Sequence, residues 1–189
     1  MKLSENLSLA EMLISDTAKR LGIKNNPTPE HLENLKAWAT NIFQPCRNHF
    51  GIPIHMSSGY RSKELNKAVP GSSKTSQHST GQAGDIDMDN TSITNSQLFH
   101  WIKDNLEFDQ LIWEFGTTKN PDWVHVSFVA PGKGKNRKQV LIAKKIAGKT
   151  VKLKRKKQSI KGESSSKPKL TKRKLMPQTV TIKKASNRS

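Results

Sequence analysis

Apolar residues fall at helical spacing over the first fifty positions and again near residue 100, and at strand spacing in much of the remainder. LSLAEMLISDTAKRLGI reads as one helix: Ser8 with Glu11 forms a capping box, Leu9, Met12 and Leu13 make an apolar stripe, and Gly22 ends it. NPTPEHLENLKAWATNIF reads as a second, with Thr28 as N-cap and Pro29 at the first helical position. Leu32, Leu35, Ala39, Ile42 and Phe43 form its buried side, and Pro45 kinks or stops it. After Gly51 the texture changes. IPIHMSSGYR alternates and predicts a strand with Ile52, Ile54 and Met56 on one face. SKELNKAV reads as a helical turn, and PGSSKTSQHSTG as a loop of the kind that carries sites over a rigid scaffold.

A strand opening at Asp85 places Asp85, Asp87 and Asp89 on one face and sends Ile86 and Met88 into a core. TNSQLFHWIKDNL is a third amphipathic helix, capped by Thr94 with Gln97. FDQLIWEF and DWVHVSFV follow as two strands joined by a turn containing GTTKNP. In the second, Val124, Val126 and Phe128 take one face and Trp123, His125 and Ser127 the other, so period two aims His125 away from the core. KQVLIAKK is expected to be the last, edge strand, protected by its lysines. Helices followed by a run of strands predict an α+β fold, N-terminal helices packed on a small, mainly antiparallel sheet.

Composition changes this picture only at the end of the chain. A length of 189 residues suits one domain with a core that needs no disulfides, and the single cysteine, Cys46, reads as a small buried hydrophobe. No apolar run reaches the roughly 18 residues of a membrane span. No basic-then-apolar leader opens the chain, so cytoplasmic synthesis without a signal peptide is expected. The net charge of +18 is lopsided: residues 1–130 are close to neutral, and Glu163 is the single acid beyond Asp122. From Lys154, KRKKQSIKGESSSKPKLTKRK lacks periodicity and apolar content, which predicts a disordered polycationic tail, 154–189, behind a domain of residues 1–153. Such a tail suits either an anionic cell envelope or nucleic acid. A monomer is expected.

The chemistry-bearing residues are sparse. A catalytic zinc site needs a few imidazoles and carboxylates converging on one point, with one position open, and His78, Asp85 and His125 are able to supply that set. Each taken alone is more often an ordinary core, surface or turn residue. Asp85, Asp87 and Asp89 imitate the start of a calcium loop, but Asn90 stands where that loop needs Gly and Ser96 where it needs Glu. His31, His49, His55 and His100 have no partners at ligand spacing and read as structural or solvated. Tyr60, Trp113 and Trp123 read as packing residues first and as lining of a substrate groove second.

The stretch Ser76, His78, Gly81, Ala83, Asp85 fits the pattern Ser-x-His-x-x-Gly-x-Ala-x-Asp, DWVHVSF fits a strand motif ending in a liganding histidine, and SSGYRS, residues 57–62, fits an upstream arginine motif. In this order they resemble the zinc D-alanyl-D-alanine carboxypeptidase family, which includes phage lytic endopeptidases; the likeness spans roughly residues 5–153. The resemblance implies one zinc per chain on His78, Asp85 and His125. It implies Arg61 as the donor to the carbonyl oxygen in the tetrahedral state, and Asp122, three residues before the last histidine, as the general base. Many relatives have Glu at that place, and Asp is one methylene shorter, so Glu114 on the neighbouring strand is the reserve candidate. The implied activity is hydrolysis of an amide bond next to a D-amino acid in peptidoglycan stem peptides, in the setting of a phage or prophage lysin acting at the cell wall. The rival is a binding module that keeps zinc for stability and uses the tail to anchor nucleic acid or a virion.

Overall fold

The computed structural model describes residues 1–146 and 148–154. The expected disordered tail, 154–189, lies outside the described residues except for Lys154. The chain opens with a short hairpin, β1 (Lys2–Ser4) and β2 (Leu7–Ser8), that the sequence pattern does not announce. The predicted first helix is two. Helix α1 (Leu9–Leu13) starts from the expected Ser8–Glu11 capping box, but the chain turns extended at Ile14, and Ser15 caps a separate α2 (Asp16–Leu21) by accepting from the Ala18 N–H. The apolar stripe runs through this break, which is why the pattern conceals it; Ser15 is a second cap inside one periodic run.

Helix α3 (Pro29–Trp38) begins at Thr28 as expected, passes through a π-helical segment (Ala39–Phe43) and continues as α4 (Gln44–Phe50). Pro45 therefore does not stop the helix. A proline lacks the N–H that a regular turn requires, and the wider turn before it absorbs that loss. Burial follows the stripe, with Leu35, Trp38, Ala39, Ile42, Phe43 and Cys46 all in the core. Burial also pushes the Cys46 thiol up, as expected of a hydrophobe-like cysteine.

Strand β3 (His55–Ser58), helix α5 (Lys63–Ala68), a 3-10 turn (Gln77–Thr80), β4 (Ala83–Asp87), α6 (Asn95–Asn105), β5 (Gln110–Glu114), β6 (Trp123–Ser127), β7 (Gln139–Ile146) and β8 (Lys149–Lys154) complete the described elements. Strands β3 to β8 form one sheet in the order β3-β4-β6-β5-β7-β8, antiparallel throughout except for the parallel pair β5–β7. The α+β expectation holds, with one correction. KQVLIAKK is not the edge: β7 is flanked on both sides, and KTVKLK forms the edge strand. Lysines protect that edge too.

The two faces of the sheet have different chemistry. Ile86, Leu111, Trp113, Val124 and Val126 point into the main core against the helices. The Trp38 indole N–H donates to the Val126 carbonyl at 2.9 Å. Gly84 permits this approach, since a Cβ there would sit 2.6 Å from the Trp38 ring. Alternation sends Asp85, Ile112, Glu114, His125, Leu141 and Ala143 to the opposite face.

Candidate metal centre

That opposite face is where the polar groups collect. Asp85 on β4 is directly opposite His125 on β6, so the register of one antiparallel pair brings two of the expected ligands side by side. The third, His78, enters from the 3-10 turn, which ends at Gly81 with φ +73. A Cβ on Gly81 would lie 2.4 Å from the His31 carbonyl, so this glycine of the motif is required twice, by its backbone angle and by the close passage of α3.

The three side chains are 1%, 8% and 7% exposed for His78, Asp85 and His125. His125 Nδ1 lies 2.8 Å from Asp85 Oδ1, His78 Nε2 lies 3.2 Å from His125 Nδ1, and His78 Nε2 lies 3.3 Å from Asp85 Oδ1. Donors about 2.0–2.1 Å from a tetrahedral zinc ion sit about 3.3–3.4 Å from one another. The triangle already has nearly those sides. His78 Nδ1 faces the Gly59 carbonyl at 2.7 Å. A carbonyl only accepts, so Nδ1 carries the proton and Nε2 turns its lone pair toward the Asp85 carboxylate. Two acceptors facing each other in a buried site require a positive charge between them. The donor set therefore fits a metal ion, and among the described residues this is the group able to hold one.

The electrostatics agree. Burial acts to raise the Asp85 pKa, but positive charge shared with the neighbouring His78 and His125 rings outweighs it and holds the carboxyl well below its usual range, as a cation among the three would also do. Burial lowers the pKa of His125, and the bond to Asp85 offsets this only in part, which favours the neutral ring a metal needs.

Arg61 lies beside this triangle. Its backbone N–H donates to the His78 carbonyl at 3.3 Å, and its guanidinium Nε is buried without a hydrogen-bond partner. Burial lowers the Arg61 pKa, while the charges of Asp85 and Glu114 act in the opposite sense. The loop that carries it is clamped by Asn25, whose amide donates to the Tyr60 carbonyl at 2.9 Å and accepts from the Ser62 N–H at 2.8 Å. Tyr60 itself is core, its hydroxyl 3.0 Å from His31 Nδ1. Trp113 is core as well, and Trp123 is half-buried against Phe115. His49 stacks on Trp101, His100 lies against Phe99 and Trp113, and His55 is exposed.

Asp122 lies at the bend that leads into β6. Asp122 is exposed, and its side chain makes no hydrogen bond or ion pair with His78, Asp85 or His125. Asn95 holds its carbonyl at 3.0 Å, and its N–H donates to the Glu114 carbonyl at 3.0 Å, so its backbone is pinned. Glu114 is on the site side. It is 7% exposed, and it shares a face with Ile112, the residue paired with His125. Burial raises the Glu114 pKa, the charges of His125, Lys152 and Arg61 act to lower it, and Asp85 acts to raise it; the net shift is upward.

One buttress has no signature in the sequence. Asp109, 2% exposed, receives the Arg137 Nε and Nη2 groups at 2.6 Å each and the Gln77 amide at 2.9 Å. Burial acts to raise its pKa, but these hydrogen bonds leave it lowered. Through Gln77 this buried carboxylate fixes the turn that presents His78.

A buried two-histidine, one-aspartate triangle with an adjacent arginine and a buried glutamate, set on an α+β sheet, defines a metal-dependent hydrolase site. The chain belongs to the Peptidase M15 family, matching it over residues 5–127, and the members of that family are zinc peptidases. No curated protein matches the chain. Among the described residues no helix is long and apolar enough to cross a membrane.

Proposed function

We propose that this protein is a zinc-dependent peptidase that hydrolyses an amide bond next to a D-amino acid in murein stem peptides, as a phage or prophage lysin. The observation that supports it best is the convergence of His78, Asp85, His125, Arg61 and Glu114 on one sheet face. His78 Nε2, an Asp85 carboxylate oxygen and His125 Nδ1 would hold the metal. When bound, zinc acidifies water and polarises a carbonyl.

Glu114, rather than Asp122, is the general base in this reading. Its carboxylate accepts a proton from the water that attacks the scissile carbonyl carbon, then delivers that proton to the amine nitrogen as the C–N bond breaks. Burial suits it to the exchange, because it raises the carboxyl's pKa and so makes it a stronger acceptor for the water's proton. The free Arg61 N–H donates to the carbonyl oxygen as negative charge gathers there, and a donor already desolvated and fixed needs no reorganisation at that moment. The polycationic C-terminus holds the enzyme on the anionic envelope, and the same charges allow nucleic acid as an alternative outcome.

Digestion of purified murein with the zinc-loaded protein, with products identified by mass, tests the reading. One new amine and one new carboxyl at a single type of bond are expected. Elemental analysis should find about one zinc per chain, lost in a His78→Ala, Asp85→Ala, His125→Ala variant. Stoichiometric zinc with no peptide released from any murein chemotype would leave a zinc-stabilised binding module in its place.

A further inference from the structure

The sheet does not end where the family match ends. Residues 5–127 stop at the end of β6, yet β7 and β8 extend the same face beyond β5. In register, Ile112 meets Leu141 and Glu114 meets Ala143 across β5–β7, and Leu141 meets Lys154 and Ala143 meets Lys152 across β7–β8. Paired residues share a face. Lys152 and Lys154 therefore stand on the side of the sheet that carries Glu114, His125 and Asp85.

The strip between them is apolar. Ile112, Leu141 and Ala143 are buried together, with Phe115 packed on them. Phe115 holds φ +53, a conformation rare for a bulky side chain, and its ring is edge-on to Trp123 with centroids 5.3 Å apart. The Lys145 ammonium sits over that ring, 5.6 Å from its centroid. Such strain is retained where the surrounding structure demands one ring position. Among the described residues no ion pair engages Lys152. Its charge is nevertheless felt at both Glu114 and His125. An exposed cation with no carboxylate of its own, beyond an apolar strip and on the face of the reacting groups, is what an acidic substrate needs.

We propose that the β7–β8 hairpin forms a carboxylate-recognition subsite, in which Lys152 binds an acidic group of the substrate peptide while Phe115 and Trp123 wall the strip leading to the metal centre. This rests on the peptidase reading above and adds a specificity-determining residue to it. Lys152 is a point charge on a flexible stem, so it selects by charge rather than by a fixed fork geometry.

The test uses full-length, zinc-loaded protein and two pairs of synthetic stem peptides. In one pair the D-glutamate α-carboxyl is free or amidated; in the other the C-terminal carboxyl is free or amidated. The wild type should prefer the free acid in at least one pair by about tenfold in kcat/KM, the size expected of one charge-assisted contact at an exposed site. Lys152→Gln should collapse that ratio toward one through KM, and Lys152→Arg should restore most of it. The preference should shrink as salt rises. Equal effects of Lys152→Gln on both members of each pair, or no preference in the wild type, overturn the subsite. Binding of labelled peptides to zinc-loaded Glu114→Gln, with and without Lys152→Gln, is measured in parallel. If the wild type cleaves neither pair, the peptidase reading falls, and binding alone decides the subsite: a free-acid preference lost with Lys152 upholds it, and equal binding of acid and amide overturns it.

Discussion

The two faces of the sheet are made by the same strands and are both buried at their centre, yet they obey different rules. On one, Ile86, Leu111, Val124 and Val126 meet the helices with nothing to satisfy but shape. On the other, one residue further along each strand, Asp85, Glu114 and His125 are withdrawn from water at a cost that only mutual pairing, or a cation, offsets. The first face contributes the stability that holds the second in place, so substitutions on the two should separate stability from catalysis.

Glu114→Gln should show the largest separation. Turnover should fall by roughly two to four orders of magnitude with zinc content retained, while Asp122→Asn stays within a few-fold of wild type in the same murein assay. The reverse result assigns the base to Asp122. The same variant should be no less stable than wild type when metal-free. Because the folded pKa of Glu114 is raised, its ionisation weighs against the fold as pH climbs from the unfolded value, about 4.3, to the folded one. Melting curves of metal-free wild type and Glu114→Gln should therefore agree below that window and diverge above it, in favour of Gln.

Leu111→Ala, on the core face, should cost about 2–5 kcal/mol in denaturant unfolding and leave kcat of the folded, zinc-loaded molecules near wild type. Asp109→Asn should cost about 1.5–3 kcal/mol by loss of its charge-assisted bonds to Arg137 and Gln77. Its folded pKa is lowered, so its contribution is complete above the unfolded value of about 3.9 and disappears as pH falls through the lower folded value, where the two proteins should converge. Removing residues 155–189 should change the melting temperature least, by a degree or two at most, while weakening retention on anionic polymers in a salt-dependent way.

How much of this was legible follows from the range of each signal. Caps are local, and Ser8, Thr28 and Thr94 act as their sequence indicates. The side to which His125 points is also local, since parity along one strand decides it. The choice of base between Asp122 and Glu114 is not. Asp122 is close to His125 in sequence, whereas Glu114 joins His125 only through the β5–β6 register, which no single strand encodes. Strand β8 was hidden for another reason. Val151 and Leu153 alternate with lysines at period two, but three lysines in six residues read as the start of the charged tail. The Asp109 buttress links residues that are 28 and 32 positions apart and leaves no pattern to read.

The parallel pairing of β5 with β7 has a consequence for the order in which the molecule assembles. Hairpins β5–β6 and β7–β8 close over short turns and are able to form early. Joining them requires β7 to run in the same direction as β5, so the chain from Glu114 to Gln139 must first loop back past β6. Loop closure of that kind is slow relative to hairpin formation. The face that holds His125 and Glu114 should then mature before the lysine-bearing strand docks beside it. In refolding followed by pulsed hydrogen exchange, amides of β6 should gain protection ahead of those in β7 that bond to β5.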